Sequence, residues 1–457
     1  MATDQQTKDR HFQDLYASPP DFKVLGRLDP DLAAVLKGRE LDFDDPASVM
    51  QLTKTLLKLD FDLNMELPDD RLCPPTWVQL ELNMLQVANR HNYILWLKRL
   101  LDTSSYEKTG RKAVGIDVGT GASCIYPLLG CAQRPWSFVA TDIDAKSLEY
   151  ARENVKRNEL THRINVLTRT EDDPMLPLED INLASADFTM TNPPFYASKE
   201  ELVESATQKS RKPFTACTGS ETEMVTTGGE VAFVGKILDE SLELRERVQW
   251  YTCMVGFLSS ATKLVERLKK EGIDNYAVTE FVQGSKTRRW AVGWSFQAMR
   301  PEQSVARGVT SKAGAAKIDL PPATEAEVLK IPLPDKIGEF ADELRRHVGG
   351  LELASWEWDQ ERLEGIGRAE ANVWNRAWRR KRKREMEVEE QDGKEEVKKE
   401  PSVIVFGFQV RVRVTKDDLS VGCRWMEGHD AVIFESFQGY IKATVNSITG
   451  TNKEKKK

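Results

Sequence analysis

The stretch Ala113-Val114-Gly115-Ile116-Asp117-Val118-Gly119-Thr120-Gly121 decides the fold. Its opening, Ala113–Ile116, is a short apolar run of the kind that forms a buried strand, and a helical segment follows the glycines. Glycines at such a turn let the backbone approach a nucleoside cofactor at the carboxyl end of a strand. The pair Gly119 and Gly121 is weak alone, because tight strand-to-helix turns use glycine for purely local reasons. Where a dinucleotide fingerprint carries a third glycine, this chain has Cys124, which argues against a dinucleotide.

Outward from this turn, strand-like runs alternate with helical patterns, the mark of a parallel sheet with covering helices. Strands are expected at Ala113–Ile116, Ser137–Ala140, Arg163–Leu167, Asp187–Thr191, Val248–Val255, Tyr276–Phe281 and Ala291–Phe296. Helices are expected at Asn92–Leu101, Ala145–Asn158, Val231–Arg247 and Ser260–Lys270. The second strand ends at Asp142, an acid placed to accept hydrogen bonds from ribose hydroxyls; ordinary loop solvation is the plainer reading of a single Asp. The fourth runs into Asn192-Pro193-Pro194-Phe195.

Methylating an exocyclic amine of a base is awkward, because the nitrogen lone pair is delocalised into the ring. A site must accept both amine hydrogens to free that pair. The Asn192 side-chain oxygen and a backbone carbonyl fixed by the prolines can do this while Phe195 stacks on the base. Alone, the tetrapeptide also reads as a strand ending in a Pro-Pro stop. The order of the three signals decides between these readings. It matches an α/β, class I (Rossmann-like) methyltransferase domain, with S-adenosyl-L-methionine over the glycine turn and the acceptor beside Asn192. The sulfonium is already an activated donor, so alignment and exclusion of water carry the reaction. Cys124 is read as a small buried thiol, not a nucleophile.

The 457 residues allow two or three domains. With 65 basic against 72 acidic residues the net charge is -7, so nucleic-acid contact must come from local basic patches. Six scattered cysteines, without a CxxC pair or a His partner at zinc spacing, point to a reducing compartment and no structural metal. No stretch approaches the ~18 apolar residues of a membrane span. The expected organisation is an N-terminal helical region (1–75), the methyltransferase domain (76–300), a linker (301–330) and a small α+β C-terminal domain (331–450); the family resemblance given below implies that the first and last of these contact RNA. A charged tract at 385–400 interrupts the last of these. Within it a helical stretch is expected to end at Trp374-Asn375-Arg376-Ala377-Trp378, before the basic run Arg379-Arg380-Lys381-Arg382-Lys383-Arg384, and Val403–Val414 alternates as a strand. The basic run reads as RNA phosphate binding, as a nuclear localisation signal, or as a solvated helix face, which mutual repulsion disfavours.

Gly115 through Gly130, together with Asn192-Pro193-Pro194-Phe195, resembles the U6 small nuclear RNA adenine-N6 methyltransferase family, of methyltransferase-like protein 16 type. That family is related to bacterial enzymes that methylate adenine in large-subunit ribosomal RNA. Further similar stretches are Arg90-His91-Asn92-Tyr93-Ile94, Gly228-Gly229-Glu230-Val231-Ala232-Phe233-Val234 and Arg289-Trp290-Ala291-Val292-Gly293-Trp294-Ser295-Phe296. The resemblance implies a cofactor pocket lined by Arg90, Gly119, Ser123, Asp142 and Asn192, to which the motif itself adds Asp117 and Gly121. It implies that Phe195 and Tyr196 stack on a flipped-out base, with Asn192, Pro193, Pro194 and Phe195 as the catalytic loop. Lys286 and Arg289 match a segment that contacts RNA in the family, and Lys209, Arg211 and Lys212 are loop candidates for phosphate contact. A C-terminal domain of kinase-associated type, whose basic helix grips the U6 stem-loop, is matched by Asn372–Glu385. Three departures stand out: Asp44 replaces a Lys of human-type members, Asp142 replaces Glu, and about ten extra residues lie near Gln79–Ala88.

The expectation is therefore an S-adenosylmethionine-dependent enzyme of the nucleus, with the cytoplasm as a second location. It would form N6-methyladenosine in U6 small nuclear RNA, with structured messenger-RNA hairpins as a second substrate class. Two rivals are a protein glutamine N5 methyltransferase and a non-catalytic RNA-binding regulator. Phe rather than Tyr at 195 leans against the first, and intact Asp117, Gly119, Gly121 and Asn192 against the second.

Overall fold

The computed structural model describes the chain outside residues 1–3, 16–19, 39, 43–44, 69–70, 72–88, 108, 202–220, 284–286, 335, 379, 381–383, 385–402 and 451–457. It divides into two units, Met1–Gln297 with Val305–Pro321, and Ala298–Ser304 with Pro322–Lys457.

The first unit is built on eight strands: β1 (Val114–Val118), β2 (Ser137–Asp142), β3 (Ile164–Thr168), β4 (Ala186–Thr191), β5 (Val248–Val255), β6 (Tyr276–Gln283), β7 (Thr287–Trp294) and β8 (Arg307–Gly308). They form one sheet in the order β8-β6-β7-β5-β4-β1-β2-β3. Strands β1 to β5 are parallel to one another, and β7 runs antiparallel between β5 and β6. Every residue of β5 is buried, as a strand covered on both faces requires. Gly115 in β1 is needed for packing: a Cβ there would stand 2.4 Å from the Phe188 ring. Strand order reverses between β1 and β4, which opens the ligand crevice of such sheets at their carboxyl ends.

Helices α1 (Asp4–Asp14), α2 (Pro46–Phe61), α3 (Asn89–Thr103), α4 (Ile125–Gln133), α5 (Ala145–Arg157), α6 (Gly229–Leu244) and α7 (Leu258–Lys270) belong to the same unit. A polar network fastens α1 to the rest. Asp9 pairs with Lys98 at 2.7 Å and Arg134 at 2.8 Å. His91 Nε2 donates to the Phe12 carbonyl at 2.9 Å, while its Nδ1 accepts from Gln133 Nε2 at 3.1 Å. The tautomer is thereby fixed, and burial lowers the His91 pKa to about 4. This network steadies the first turn of α3, which carries Arg90.

The expected strands are present with shifted ends. The largest shift is Ala291–Phe296, which is Thr287–Trp294 because the polar Thr287 and Arg288 pair with Gln283 and Val282 across a hairpin. The segment 301–330, read as a linker, is instead structured and shared between the units: Val305, Val309 and Ile318 are buried in the first, and Glu325–Pro332 forms a strand of the second. Its Ala, Pro and Ser content hid three widely spaced apolar anchors.

The second unit holds β9 (Glu325–Pro332), β10 (Ser355–Asp359), β11 (Glu364–Ala369), β12 (Phe406–Val414) and β13 (Asp418–Glu427), an antiparallel sheet in the order β9-β13-β12-β11-β10. Helices α8 (Ile337–Gly349) and α9 (Ala431–Ile448) share its core. The helical stretch expected to run up to Trp374–Trp378 is therefore broken by two strands. Trp356 and Trp358 alternate with Glu357, a period of two that fits a strand and not a helix.

Candidate active site

Three strand ends meet in one row. Thr141 pairs with Val118 and Val118 with Thr191, so Asp142, Gly119 and Asn192 each stand one residue beyond that row. Thr191 Oγ1 donates to the Val118 carbonyl at 2.8 Å and ties two of the ends together. Gly119 and Gly121 take φ of +76 and +63, in the left-handed region that favours glycine. The turn is pinned on β2: Gly119 and Thr120 N–H groups donate to the Thr141 carbonyl at 3.0 and 2.9 Å. Asp142 completes the pinning, accepting Gly121 N–H at 2.8 Å and Asp144 N–H at 2.9 Å, and each oxygen keeps a further lone pair. Ser123 is buried behind the turn. Cys124 immediately precedes α4, and burial pushes its thiol far up, so it carries no thiolate nucleophile.

Buried polar atoms without partners are rare and each requires an account. Here Arg90 Nε, both Asp117 carboxylate oxygens, Thr120 Oγ1, Tyr126 Oη and Asn192 Oδ1 are all buried and unpartnered. Burial pushes the Asp117 carboxyl up to about 7. Arg90 stands one turn before Tyr93 on α3, the Tyr93 ring meets Tyr126 edge-on at 5.5 Å, and the charges of Arg90, Asp117 and Arg289 all act on the Tyr126 hydroxyl. A ligand bringing both an anionic and a cationic group satisfies the set.

On the acceptor side, the Phe195 ring rests against Gly256, where a Cβ would stand 2.8 Å from Phe195 Cδ1. Arg289 lies with its guanidinium 5.2 Å from the Phe195 centroid. Strand register explains the grouping, because Trp290 pairs with Val255 and so sets Arg289 beside Gly256. Buried Glu230, in the first turn of α6, accepts Gly256 N–H at 2.7 Å and Phe257 N–H at 3.1 Å. Pro193 is buried, and Tyr196 is buried with its backbone paired to Met224 and Thr226.

The structure thus brings together Arg90, Asp117, Gly119, Gly121, Ser123, Asp142 and Asn192–Phe195, with Arg289 beside Phe195. Lys286, Lys209, Arg211, Lys212, Arg379, Lys381, Arg382 and Lys383 lie outside the described residues, as do residues 79–88 and Asp44. Arg380 and Arg384 are helical and exposed in the second unit, beyond Trp374, which is buried against Phe437 at 4.9 Å. Sequence reasoning did not single out Tyr126, Gly256 and Glu230, which the structure sets in contact with the candidate site or its supports. A glutamate in the first turn of an apolar helix was the signal available for Glu230.

Residues 4–298 match a family of RNA methyltransferases. The chain is 35% identical over 402 residues to the U6 small nuclear RNA (adenine-(43)-N(6))-methyltransferase of Schizosaccharomyces pombe, covering 88% of this chain and 94% of that one. It is 39% identical over 299 residues to the RNA N(6)-adenosine-methyltransferase METTL16 of Mus musculus, covering 64% of this chain and 52% of that one. The chain thus spans about half the length of the vertebrate relative. The crystal structure of the human METTL16 catalytic domain in complex with MAT2A 3′UTR hairpin 1 superposes with a TM-score of 0.54 at 37% identity, over 65% of this chain and 96% of that one.

Proposed function

The chain belongs to the RNA methyltransferase family that includes the U6 small nuclear RNA adenine-N6 enzymes, and we propose that it forms N6-methyladenosine in U6 small nuclear RNA and in structured messenger-RNA hairpins. The observation that carries the reading is the unpartnered Asn192 Oδ1, buried one residue beyond the strand row that also presents the glycine turn. That oxygen and the Pro193 carbonyl accept the two hydrogens of the adenine amine and free its lone pair. Phe195 stacks on the base, and Gly256 and Arg289 hold the ring.

S-adenosylmethionine is the methyl donor, and its sulfonium supplies an activated methyl group. The residues present fit it. Asp117 offers two buried acceptors for an ammonium, Arg90 a charged donor for a carboxylate, and Asp142 an acid at the end of β2 for ribose hydroxyls. The chain's own work is alignment: it fixes the amine relative to the donor and excludes water. No general base is needed to activate a nitrogen whose lone pair has been freed.

The exposed Arg380 and Arg384 lie in the expected basic run and support a role for the second unit in gripping RNA phosphates. The proposed action on U6 small nuclear RNA supports a nuclear location. The test is to incubate it with labelled methyl donor and total RNA and map the label. Label on adenine N6 of U6 is expected; label on protein and none on adenine overturns the reading.

A further inference from the structure

Tyr126 is the second residue of α4, just past the glycine turn, and its side chain is 4% exposed. Its ring meets Tyr93 edge-on, at 5.5 Å and 80°. Tyr93 is itself immobilised. Its hydroxyl lies 2.7 Å from Thr252 Oγ1, which in turn donates to the Thr189 carbonyl at 2.7 Å, so Tyr93 is the donor to Thr252. Tyr126 is thus held against a fixed wall with its hydroxyl unpartnered. A phenol buried beside other polar groups ordinarily finds a partner.

The neighbours say what kind of partner is missing. Arg90 carries a second buried donor without an acceptor, while both Asp117 oxygens are buried without a hydrogen bond of ordinary geometry, although the Thr120 hydroxyl is close enough to pull the carboxyl down. Since both Asp117 oxygens and Tyr126 Oη are all unpartnered, the two side chains do not satisfy each other. The pocket therefore presents donors for one anionic oxygen group and acceptors for one cationic group. An RNA phosphate would answer only the first half. An α-amino acid head answers both.

Resting on the reading of S-adenosylmethionine as donor, we propose that the Tyr126 hydroxyl donates to the carboxylate of the cofactor's methionyl group, beside Arg90, and positions it. Tyr126→Phe removes one oxygen and keeps the ring against Tyr93, so the fold is retained. Calorimetry is run on both proteins with S-adenosylhomocysteine, with 5′-methylthioadenosine, which lacks the amino-acid head, and with a structured RNA hairpin. The Kd for S-adenosylhomocysteine is expected to rise about tenfold, the size of a hydrogen bond to a charged group. Affinities for 5′-methylthioadenosine and the hairpin stay unchanged. Unchanged S-adenosylhomocysteine affinity, or equal losses for both nucleosides, overturns the proposal. A loss confined to the hairpin also overturns it and assigns the hydroxyl to a phosphate. The nucleoside arms do not depend on which RNA is methylated, so failure of the substrate reading would appear separately, as unlabelled RNA with wild-type protein.

Discussion

Gly256 and Phe195 are in direct contact, and only the missing side chain at 256 lets the ring lie where it does. A methyl at that position would stand 2.8 Å from Phe195 Cδ1 and 3.2 Å from Cε1. The atom met is next to the root of the side chain, so the ring must rotate or shift as a body. Gly256→Ala is expected to lower RNA methylation at least tenfold while S-adenosylhomocysteine affinity stays unchanged. Single-turnover rates beside calorimetry check this, and wild-type turnover removes Phe195 from the acceptor site.

Glu230 holds the same contact from behind. Its two oxygens take the N–H groups of Gly256 and Phe257, and burial pushes its carboxyl up against the pull of those bonds. In Glu230→Gln one oxygen becomes an NH2 donor facing an N–H donor, leaving a buried backbone group unsatisfied. The expected cost is about 1–3 kcal/mol of stability, read by urea denaturation. Methylation should fall further than cofactor binding does.

Much of this site was legible from spacing alone. Gly119, Asp142 and Asn192 end the first, second and fourth strand-like runs, and a parallel sheet brings the carboxyl ends of neighbouring strands together. What was not legible came from the third dimension. Gly256 matters only because β7 returns antiparallel and sets Arg289 beside it, and no period in the sequence announces that pairing. Tyr126 lay inside the stretch Gly115–Gly130 without a reading of its own, and its unpaired hydroxyl is a fact of packing. In the second unit, Trp356-Glu357-Trp358 carried a strand period, but the helix-forming residues around it dominated the reading.

Asn192 is the residue on which the chemistry turns. Asn192→Ala deletes the unpartnered Oδ1 from a loop already fixed by two prolines, so the backbone path and the distant RNA contacts persist. Methyl transfer is expected to fall by at least ~1,000-fold, comparable to removing an electrostatic interaction made at the transition state. RNA affinity by filter binding should change less than twofold. Wild-type turnover by this variant would sink the catalytic assignment.

The basic run supplies affinity of a different kind. Arg380 and Arg384 are exposed and helical, and Trp374, a few residues before them, is buried in the core of the second unit. Replacing residues 379–384 by alanine should weaken RNA binding at all sequences alike. The slope of log affinity against log salt should flatten by about 0.7–0.9 for each phosphate that the run neutralises in the wild-type complex. An unchanged slope would leave the run as a localisation signal alone.

Asp117 links cofactor binding to pH. Burial raises its carboxyl to about 7, against about 3.9 in the unfolded chain. The folded apoprotein holds this proton more tightly, so the stability it contributes is complete below the unfolded value and is lost as pH rises through about 7. Binding runs the other way. A ligand ammonium needs the carboxylate, so affinity for S-adenosylhomocysteine should increase as pH rises toward 7 and level off above it. Calorimetry at pH 6 in buffers of different ionisation enthalpy should register a proton released on binding. Asp117→Asn should bind weakly and without that pH dependence. Equal wild-type affinity at pH 6 and pH 8, with no proton released, would mean that Asp117 does not meet the ammonium.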